Sequence, residues 1–261
     1  YAQHLEKDAK GAKGRMVPFA GWEMPVLYTT IGDEHDAVRQ RAGLFDITHM
    51  GTMEVAGPNA QRFIDLVTTN FAPKLRAGQT QYSYVLDPDG RVLDDILVYR
   101  RAWDRFLLVV NASNADKLWA WFSGVAARRY ILDNNRPALE IEGDVTLRNL
   151  KDESSGEDKL VDIAVQGPKS LAIMQRASDD KAGKIALRDC KKSDFIETTL
   201  CGKIPVLVSR TGYTGENTGF EIYVHPDQAP KVWKGLLAAG EKYGLQRAGL
   251  GARDSTRTEV G

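Results

Sequence analysis

Apolar residues recur at helical spacing in several segments of the chain, with polar residues between them. Pro58 fits a first helical position, and Ala60, Phe63, Ile64 and Val67 follow on one face. These positions predict an amphipathic helix. Other helices are predicted to begin at Thr30, near Ser113 or Asn114, after Gly167-Pro168, and near Asp227.

Period-two alternation predicts β-strands between these helices. The strongest pattern consists of residues 81–86 and 92–99, joined by a tetrad that carries Pro88 and Gly90 where a tight turn needs them. We therefore predict a β-hairpin, with residues 106–110 as the next antiparallel strand. Further strands are predicted at residues 52–55, 160–165, 204–209 and 220–224.

Helices and antiparallel strands follow one another in blocks without a strict βαβ rhythm. This order favours an α+β fold with antiparallel sheets flanked by helices. Two segments rich in charge, residues 150–162 and 179–192, are predicted to be solvated loops.

Charge and composition narrow the range of partners. The 261 residues include 35 basic and 35 acidic side chains, so no overall field attracts nucleic acid or an anionic membrane. The longest strongly apolar stretch, residues 106–110, is far shorter than the roughly 20 residues that cross a bilayer. We expect no nucleic-acid or membrane partner, and a cytoplasmic location, or the mitochondrial matrix in a eukaryote. The two cysteines and four histidines lack ligand spacing, so no metal site is predicted.

The hairpin gives the first candidate for chemistry. A turn centred on residues 88–89 would place Tyr82 opposite Asp95, on the face that also carries Tyr99, and Asp94 on the other face. A carboxylate among such neighbours costs free energy unless it has a partner. Two interpretations follow from the residues alone. Asp95 lies at a strand edge in water, or it lies in a cleft and binds a ligand whose flat ring stacks on the tyrosines.

Two glycine-rich segments carry less information. Gly249 and Gly251 begin a pattern in which a dinucleotide-binding fingerprint would have a third glycine, but Asp254 stands there, so nucleotide binding is not predicted. Residues 210–216 contain two glycines around a tyrosine and a threonine. Taken alone, this segment indicates a turn between strands.

A set of motifs, in order from about residue 10 to the end, resembles the aminomethyltransferases, the T-proteins of the glycine cleavage system. The motifs are residues 16–25, 43–51, 93–95, 110–112, 166–168, 210–216 and 249–254. The resemblance implies transfer of a methylene group from the aminomethyl-lipoyl arm of the H-protein to tetrahydrofolate, with release of ammonia. Tetrahydrofolate would be a co-substrate, and the lipoylated H-protein would supply the lipoyl group.

The resemblance also implies roles for individual residues. Asp95 matches the catalytic aspartate of the family. Asn111 would offer a donor and an acceptor to the pterin edge, Glu221 would accept two hydrogen bonds from the pterin, and Arg253 would suit a carboxylate of the glutamyl tail. The implied folate-binding residues are Met50, Tyr82, Tyr99, Val109, Asn111, Glu221 and Arg253.

The same resemblance implies two intertwined folate-binding lobes. Residues 1–50 and about 140–261 would form the first lobe, and about 51–138 the second, with the Asp95 hairpin. The family adds a third, all-β C-terminal lobe, which we expect to be absent because residue 261 falls inside a family motif. The loop 216–219 is one residue longer than usual, which affects the direction of Glu221.

Two other functions remain open within this superfamily. A folate-dependent demethylase would use the same cleft with a methyl-sulfonium or methylamine donor. A non-catalytic folate-binding module is the other alternative. The K-G-C-x-x-G-Q-E signature typical of that module is absent, whereas the Asp94-Asp95 pair is present.

Overall fold

The computed structural model describes residues 1–7 and 11–261 and divides into two compact units. Unit 1 comprises Tyr1–Thr48 and Val161–Gly261, and unit 2 comprises His49–Leu160. Both units combine helices with mainly antiparallel sheets, which confirms the predicted α+β class. No helix in the described part of the chain has the length and apolarity needed to cross a bilayer.

Unit 1 contains a two-stranded antiparallel sheet and a six-stranded sheet in the order β10-β11-β12-β9-β3-β13. Its strands are β1 (Arg15–Phe19), β2 (Trp22–Leu27), β3 (Gly43–Asp46), β9 (Val161–Gln166), β10 (Phe195–Leu200), β11 (Ile204–Ser209), β12 (Gly219–Val224) and β13 (Gln246–Ala248). Its helices are α1 (Ala2–Leu5), α2 (Ile31–Gln40), α5 (Ser170–Ala177), α6 (Lys181–Asp189), α7 (Ala229–Gly240) and α8 (Leu250–Val260). Only β13, which pairs with β3, runs parallel to its neighbour in the described six-stranded sheet.

Helix caps decide where several of these helices begin. The Thr30 hydroxyl accepts the Asp33 amide at 3.0 Å, as the sequence predicts for the start of α2. This helix ends at Gln40, and β3 begins three residues later at Gly43.

Helix α6 lies in the segment 179–192, which we predicted to be a loop, so that prediction is wrong. The Asp180 side chain caps this helix by accepting the Gly183 amide at 2.7 Å. Gly183 and Leu187 face inward, a short apolar face among many charges. The segment 150–162 likewise contains a 3-10 helix and the start of β9 rather than loop alone.

Buried apolar side chains form the core of unit 1 between its six-stranded sheet and helices α5 and α7. Leu44, Val165, Val208 and Ile222 contribute from the strands, and Leu236 contributes from α7; all five are fully buried. Val232, Trp233 and Leu236 lie on the buried face of α7.

Unit 2 is a five-stranded antiparallel sheet in the order β5-β6-β7-β4-β8, with two helices. The strands are β4 (Gly51–Ala56), β5 (Gln79–Leu86), β6 (Val92–Ala102), β7 (Arg105–Val110) and β8 (Thr146–Asn149). The helices are α3 (Ala60–Val67) and α4 (Ala115–Ala126). Their apolar faces pack with alternate strand residues such as Val55, Ile96, Val98 and Leu108.

Strand β8 places residues 146–149 in unit 2, because they pair with β4 from Met53 to Ala56. The sequence analysis grouped residues from about 140 onward with the first lobe. The main-chain hydrogen bonds between β8 and β4 account for the difference, since they join this segment to the sheet of unit 2.

The β5-β6 hairpin forms as predicted, but its register differs by two residues. Tyr84, and not Tyr82, lies opposite Asp95, while Tyr82 lies opposite Leu97. The turn closes through the Asp87 amide and the Arg91 carbonyl at 2.9 Å, and an irregularity follows at Val85 and Leu86. A shift of two residues preserves the face of each side chain, so Tyr82 and Asp95 still share a face, as predicted.

Candidate functional site

Asp95 lies on the face of the unit 2 sheet that points away from α3 and α4. Its neighbours in sequence, Asp94 and Ile96, point to the helix side, because side chains alternate along a strand. We call the opposite side the Asp95 face and define it by the side chains that share it. They are Tyr82, Tyr84, Asp95, Leu97, Tyr99 and Val109.

Asp94 is 4% exposed, and its carboxylate is fully engaged by the segment that follows β7. It accepts the Asn111 amide at 3.2 Å, the Asn111 side-chain amide at 2.8 Å and the Asn114 side-chain amide at 2.7 Å. Such hydrogen bonds compensate for the cost of burying the charge. The role of Asp94 is therefore to fix the start of α4 against β6.

Asp95 is half-buried, and its carboxylate is held by one amide side chain. Asn111 Nδ2 donates to Asp95 Oδ1 at 3.1 Å, so this amide joins both carboxylates of the pair. Tyr82 lies on the same face as Asp95. Burial, and then interaction with Asp95 and Tyr84, raises the pKa of Tyr82, so its hydroxyl stays protonated.

Asn111 thus has a role that the sequence analysis did not predict. Its side-chain amide is directed at Asp94 and Asp95 rather than free for a ligand edge. We therefore interpret Asn111 as a residue that positions Asp95; its contact with the pterin stays a prediction.

The other predicted site residues of unit 2 differ in how exposed their side chains are. Tyr99 is fully buried and Val109, opposite Leu97, is 5% exposed, so both belong to the wall beneath the site rather than to an accessible stacking surface. Met50 is half-buried in the turn before β4. Tyr82, by contrast, is 48% exposed and can meet a ligand.

In unit 1, Glu221 and Arg253 lie near the segment 210–216. The Thr211 hydroxyl donates a short hydrogen bond to Glu221 on β12. The Arg253 guanidinium lies over the ring of Tyr213 at 4.3 Å, a cation–π arrangement. Burial lowers the pKa of Arg253, although the nearby Tyr213, Glu221 and Asp162 favour its charged form.

Two polar side chains, Gln166 and Arg39, hold this segment in place. Gln166 on β9 donates to the Thr211 carbonyl at 3.2 Å and accepts from the Thr214 hydroxyl at 3.1 Å. A side chain at Gly212 would place its Cβ 2.0 Å from Gln166 Oε1, so glycine is required by this close approach. The sequence analysis identified the motif at residues 166–168 but did not predict that Gln166 would hold the 210–216 segment.

Arg39 on α2 is the second such group. Its guanidinium contacts Glu216 and Glu259 at 2.6 Å each, the Thr214 carbonyl at 2.8 Å and the Thr256 carbonyl at 2.9 Å. Burial alone would lower the pKa of Arg39, but the hydrogen bonds to the two glutamates raise it. One side chain thereby joins α2, the 210–216 segment and α8.

Among the described residues, no group of His, Cys, Asp or Glu side chains is arranged to hold a metal ion. Two cavities lie elsewhere in the units. One of about 650 Å³ in unit 1 includes Trp233 and Arg247, and one of about 530 Å³ in unit 2 includes Trp121 and Asp133. Neither is lined by a residue of the predicted site.

The sequence profile described as the GCVT N-terminal domain matches residues 5–261. The chain belongs to the GCVT N-terminal domain family. This membership agrees with the resemblance to aminomethyltransferases derived above, which is confirmed.

Curated proteins named aminomethyltransferase are similar to this GCVT-family chain. The protein from Symbiobacterium thermophilum is 41% identical over 261 residues, which are 100% of this chain and 62% of the relative. The protein from Bacillus subtilis is 40% identical over 247 residues, which are 95% of this chain and 61% of the relative. The chain therefore spans about 60% of the length of these relatives.

Two solved structures are also similar to this chain. The glycine cleavage system aminomethyltransferase T from Bartonella henselae matches with a TM-score of 0.75 and 31% identity, over 94% of this chain and 58% of that one. Heterotetrameric sarcosine oxidase from Corynebacterium sp. U-96 matches with a TM-score of 0.50 and 16% identity, over 82% of this chain and 92% of that one. The second likeness concerns the fold alone.

Proposed function

We propose that the chain is the folate-binding part of an aminomethyltransferase of the glycine cleavage system. The reaction would transfer a methylene group from the aminomethyl-lipoyl arm of the H-protein to tetrahydrofolate and release ammonia. Family membership and the relatives named aminomethyltransferase support this proposal. The H-protein and tetrahydrofolate are the partners it requires.

The observation that carries the proposal is the environment of Asp95. Its carboxylate is half-buried, is held by Asn111, and shares a face with the exposed rings of Tyr82 and Tyr84. An anion that is fixed before a ligand arrives, next to a flat apolar surface, suits a planar nitrogen heterocycle that becomes positively charged. A reduced pterin is such a ring.

The reaction requires the protein mainly to align the two substrates and to stabilise developing positive charge. N5 of tetrahydrofolate would form a bond to the methylene carbon of the S–CH2–NH3+ unit as the C–N bond to ammonia breaks, so positive charge develops near the reacting carbon. N10 would then form the second bond to this carbon as the C–S bond breaks. The two N–H protons of the folate would pass to ammonia and to the lipoyl thiolate, which gives 5,10-methylenetetrahydrofolate and the reduced lipoyl arm. Asp95 would stabilise that charge and orient the ring nitrogens, while alignment of the two substrates would supply much of the rate.

The remaining assignments are part of the same proposal. Glu221, beside the Thr211 hydroxyl, would accept hydrogen bonds from the pterin, and Arg253 would bind a carboxylate of the glutamyl tail. Tyr99, Val109 and Met50 would shape the wall against the ring. These roles predict effects on folate affinity more than on turnover.

Two matched substitutions in the protein that carries this chain test the proposal. Asp95→Asn keeps the size of the side chain and removes its charge, so turnover should fall by roughly 10²-fold or more while folate affinity changes little. Glu221→Gln should act chiefly on folate affinity. Turnover and folate dissociation constants for both variants give the comparison, and normal turnover in Asp95→Asn would remove the catalytic assignment.

A further inference from the structure

We propose that Asp94 is a positioning residue of this site. Its carboxylate sets the direction of the Asn111 side-chain amide, and this amide in turn holds the Asp95 carboxylate. The inference rests on the proposed function, because it assigns Asp94 to the reaction in which Asp95 takes part. It is carried by hydrogen bonds within unit 2 and extends the role of Asp94 beyond the start of α4.

Strand pairing brings the three side chains together. Strand β7 ends at Val110, which pairs with Ile96 on β6. Because the two strands are antiparallel, the residue after Val110 continues this register beside Asp95. That residue is Asn111, and its backbone is still extended, with φ −64° and ψ 138°. Its side chain therefore lies within hydrogen-bonding distance of both carboxylates of the Asp94-Asp95 pair.

Three oxygen atoms surround the side-chain nitrogen of Asn111. Nδ2 lies 2.8 Å from Asp94 Oδ1, 3.1 Å from Asp95 Oδ1 and 3.1 Å from the Asp95 carbonyl oxygen. Carboxylate and carbonyl oxygens accept hydrogen bonds and donate none, so only the NH2 end of the amide satisfies them. The surroundings of Asn111 thus determine which way its amide points.

Asp94 holds Asn111 at both its main chain and its side chain. Asp94 Oδ2 accepts the Asn111 main-chain amide at 3.2 Å, while Oδ1 accepts the Asn111 side chain. Asn114 Nδ2 donates to the same Oδ1 at 2.7 Å. Asp94 is 4% exposed, so water competes little for these hydrogen bonds. Asp95 is more exposed than Asp94, so the positioning effect runs from Asp94 through Asn111 to Asp95.

The same orientation determines what Asn111 offers to a ligand. Since Nδ2 donates to the two carboxylates, the opposite end of the amide is the acceptor Oδ1, which receives no hydrogen bond within the described residues. The sequence analysis expected both a donor and an acceptor toward the pterin. With the donor engaged, a ligand group that contacts Asn111 has to be an N–H or O–H donor.

A double-mutant cycle tests whether Asp94 acts through Asn111. Asp94→Asn keeps the size of the side chain but replaces one acceptor oxygen by a donor, so the Asn111 amide can turn around. Turnover per folded protein should fall by about ten-fold, with a smaller change in the Michaelis constant for tetrahydrofolate. Asn111→Ala should cause a similar fall. The double variant should be no slower than Asn111→Ala, because the second substitution removes nothing further.

Two other variants separate positioning from stability. Asp89→Asn is the same substitution at an exposed carboxylate of unit 2 that accepts Asn134 Nδ2 at 2.6 Å, so turnover should be unchanged. Asn114→Ala removes one donor to Asp94 and leaves Asn111 in place, so it should lower the free energy of unfolding with a much smaller effect on turnover than Asp94→Asn. Urea unfolding followed by circular dichroism gives the folded fraction of each variant.

A measurement on the unaltered protein needs neither a substrate nor a folded Asp94 variant. In protein labelled with 15N and 13C, the side-chain amide signal of Asn111 is assigned through its own main chain. Its hydrogens are bound to a buried carboxylate, so they should exchange with solvent at least about ten-fold more slowly than those of the Asn134 side chain, which lies in an exposed contact. Asp94→Asn should accelerate the exchange at Asn111.

The outcomes distinguish this inference from the proposed function. Equal exchange rates of the Asn111 and Asn134 side chains, or losses of turnover that multiply in the double variant, would overturn the role of Asp94. If the unaltered protein transfers no methylene group, the proposed function fails, and the exchange at Asn111 still decides whether Asp94 fixes the direction of the amide. Slow exchange together with a non-additive loss of turnover supports both.

Discussion

Replacement of Arg39 by methionine should destabilise unit 1 by about 2–4 kcal/mol. Methionine keeps most of the aliphatic volume of arginine, so packing changes little and the loss is that of the guanidinium contacts. Arg39 is 20% exposed, and its guanidinium contacts two glutamates and two backbone carbonyls. It is the side chain that connects α2, the 210–216 segment and α8.

The magnitude follows from the burial of each partner. The Glu216 side chain is 17% exposed, so the loss of its partner leaves a mostly buried carboxylate that is costly to leave unpaired. The carbonyls of Thr214 and Thr256 each lose a hydrogen bond to a charged donor, and water replaces part of that loss because Arg39 is partly exposed. The Glu259 side chain is 52% exposed, so water screens this pair and it adds little to the loss.

Urea unfolding followed by circular dichroism measures the effect, and Arg188→Met is the matched control. Arg188 belongs to the same unit but is 61% exposed and pairs with its neighbour Asp189, so its loss should change the free energy of unfolding little. Glu259→Gln should also be much less destabilising than Arg39→Met. If Arg39→Met were no more destabilising than Arg188→Met, the interpretation of Arg39 as the connecting residue would be wrong.

Two further predictions concern ionisable groups of unit 1. Burial would raise the pKa of Asp46, but the hydrogen bond and charge of His4 and the hydrogen bonds of Thr48 hold this pKa below its ordinary 3.8. The stability that Asp46 contributes is therefore present above pH 3.8 and is lost as the pH falls further. Measurements of the free energy of unfolding at acid pH should show this loss, and Asp46→Asn should lack it. Burial raises the pKa of Cys190 and of Cys201 to about 11. Alkylation of these thiols at pH 8 should therefore be about 100-fold slower in the folded protein than in urea. Equal alkylation rates would contradict the raised thiol pKa values.

The hairpin shows what the sequence could predict and what it could not. Alternation gave the strands, and the turn residues gave the hairpin, so the common face of Tyr82 and Asp95 was correct. The predicted cross-strand partner of Asp95 was wrong. An irregularity at Val85 and Leu86 shifts the register of the hairpin, and the residue types do not indicate this shift. The predicted register placed Tyr84 opposite Leu93 for that reason, whereas it lies opposite Asp95.

The missed helices have a similar explanation. Helix α6 has only a short inward face, at Gly183 and Leu187, within a run of charged residues, so composition hid the helical period. Helix α8 begins at Leu250, inside a glycine-rich segment that the sequence analysis considered only as a nucleotide motif. Tertiary packing supplied the stability that local pattern did not reveal.

Contacts between residues that are distant in sequence could not be predicted. Arg39 meets Glu216 at a separation of 177 residues, and Gln166 meets Thr214 at a separation of 48. Neither pair leaves a periodic signal in one sequence. The roles of Asn111 and Asn114 toward Asp94 likewise depend on how β6 and β7 pair, which places the two segments together.

The assay that decides between the functions uses purified protein that carries this chain, with aminomethyl-lipoyl H-protein as donor and ammonia release as the readout. We expect ammonia release that depends on tetrahydrofolate and falls by roughly 10²-fold in Asp95→Asn. A methyl-sulfonium or methylamine donor should give no methyl transfer to tetrahydrofolate. Transfer from those donors, with no tetrahydrofolate-dependent ammonia release from the H-protein, would contradict the aminomethyltransferase proposal and favour a demethylase.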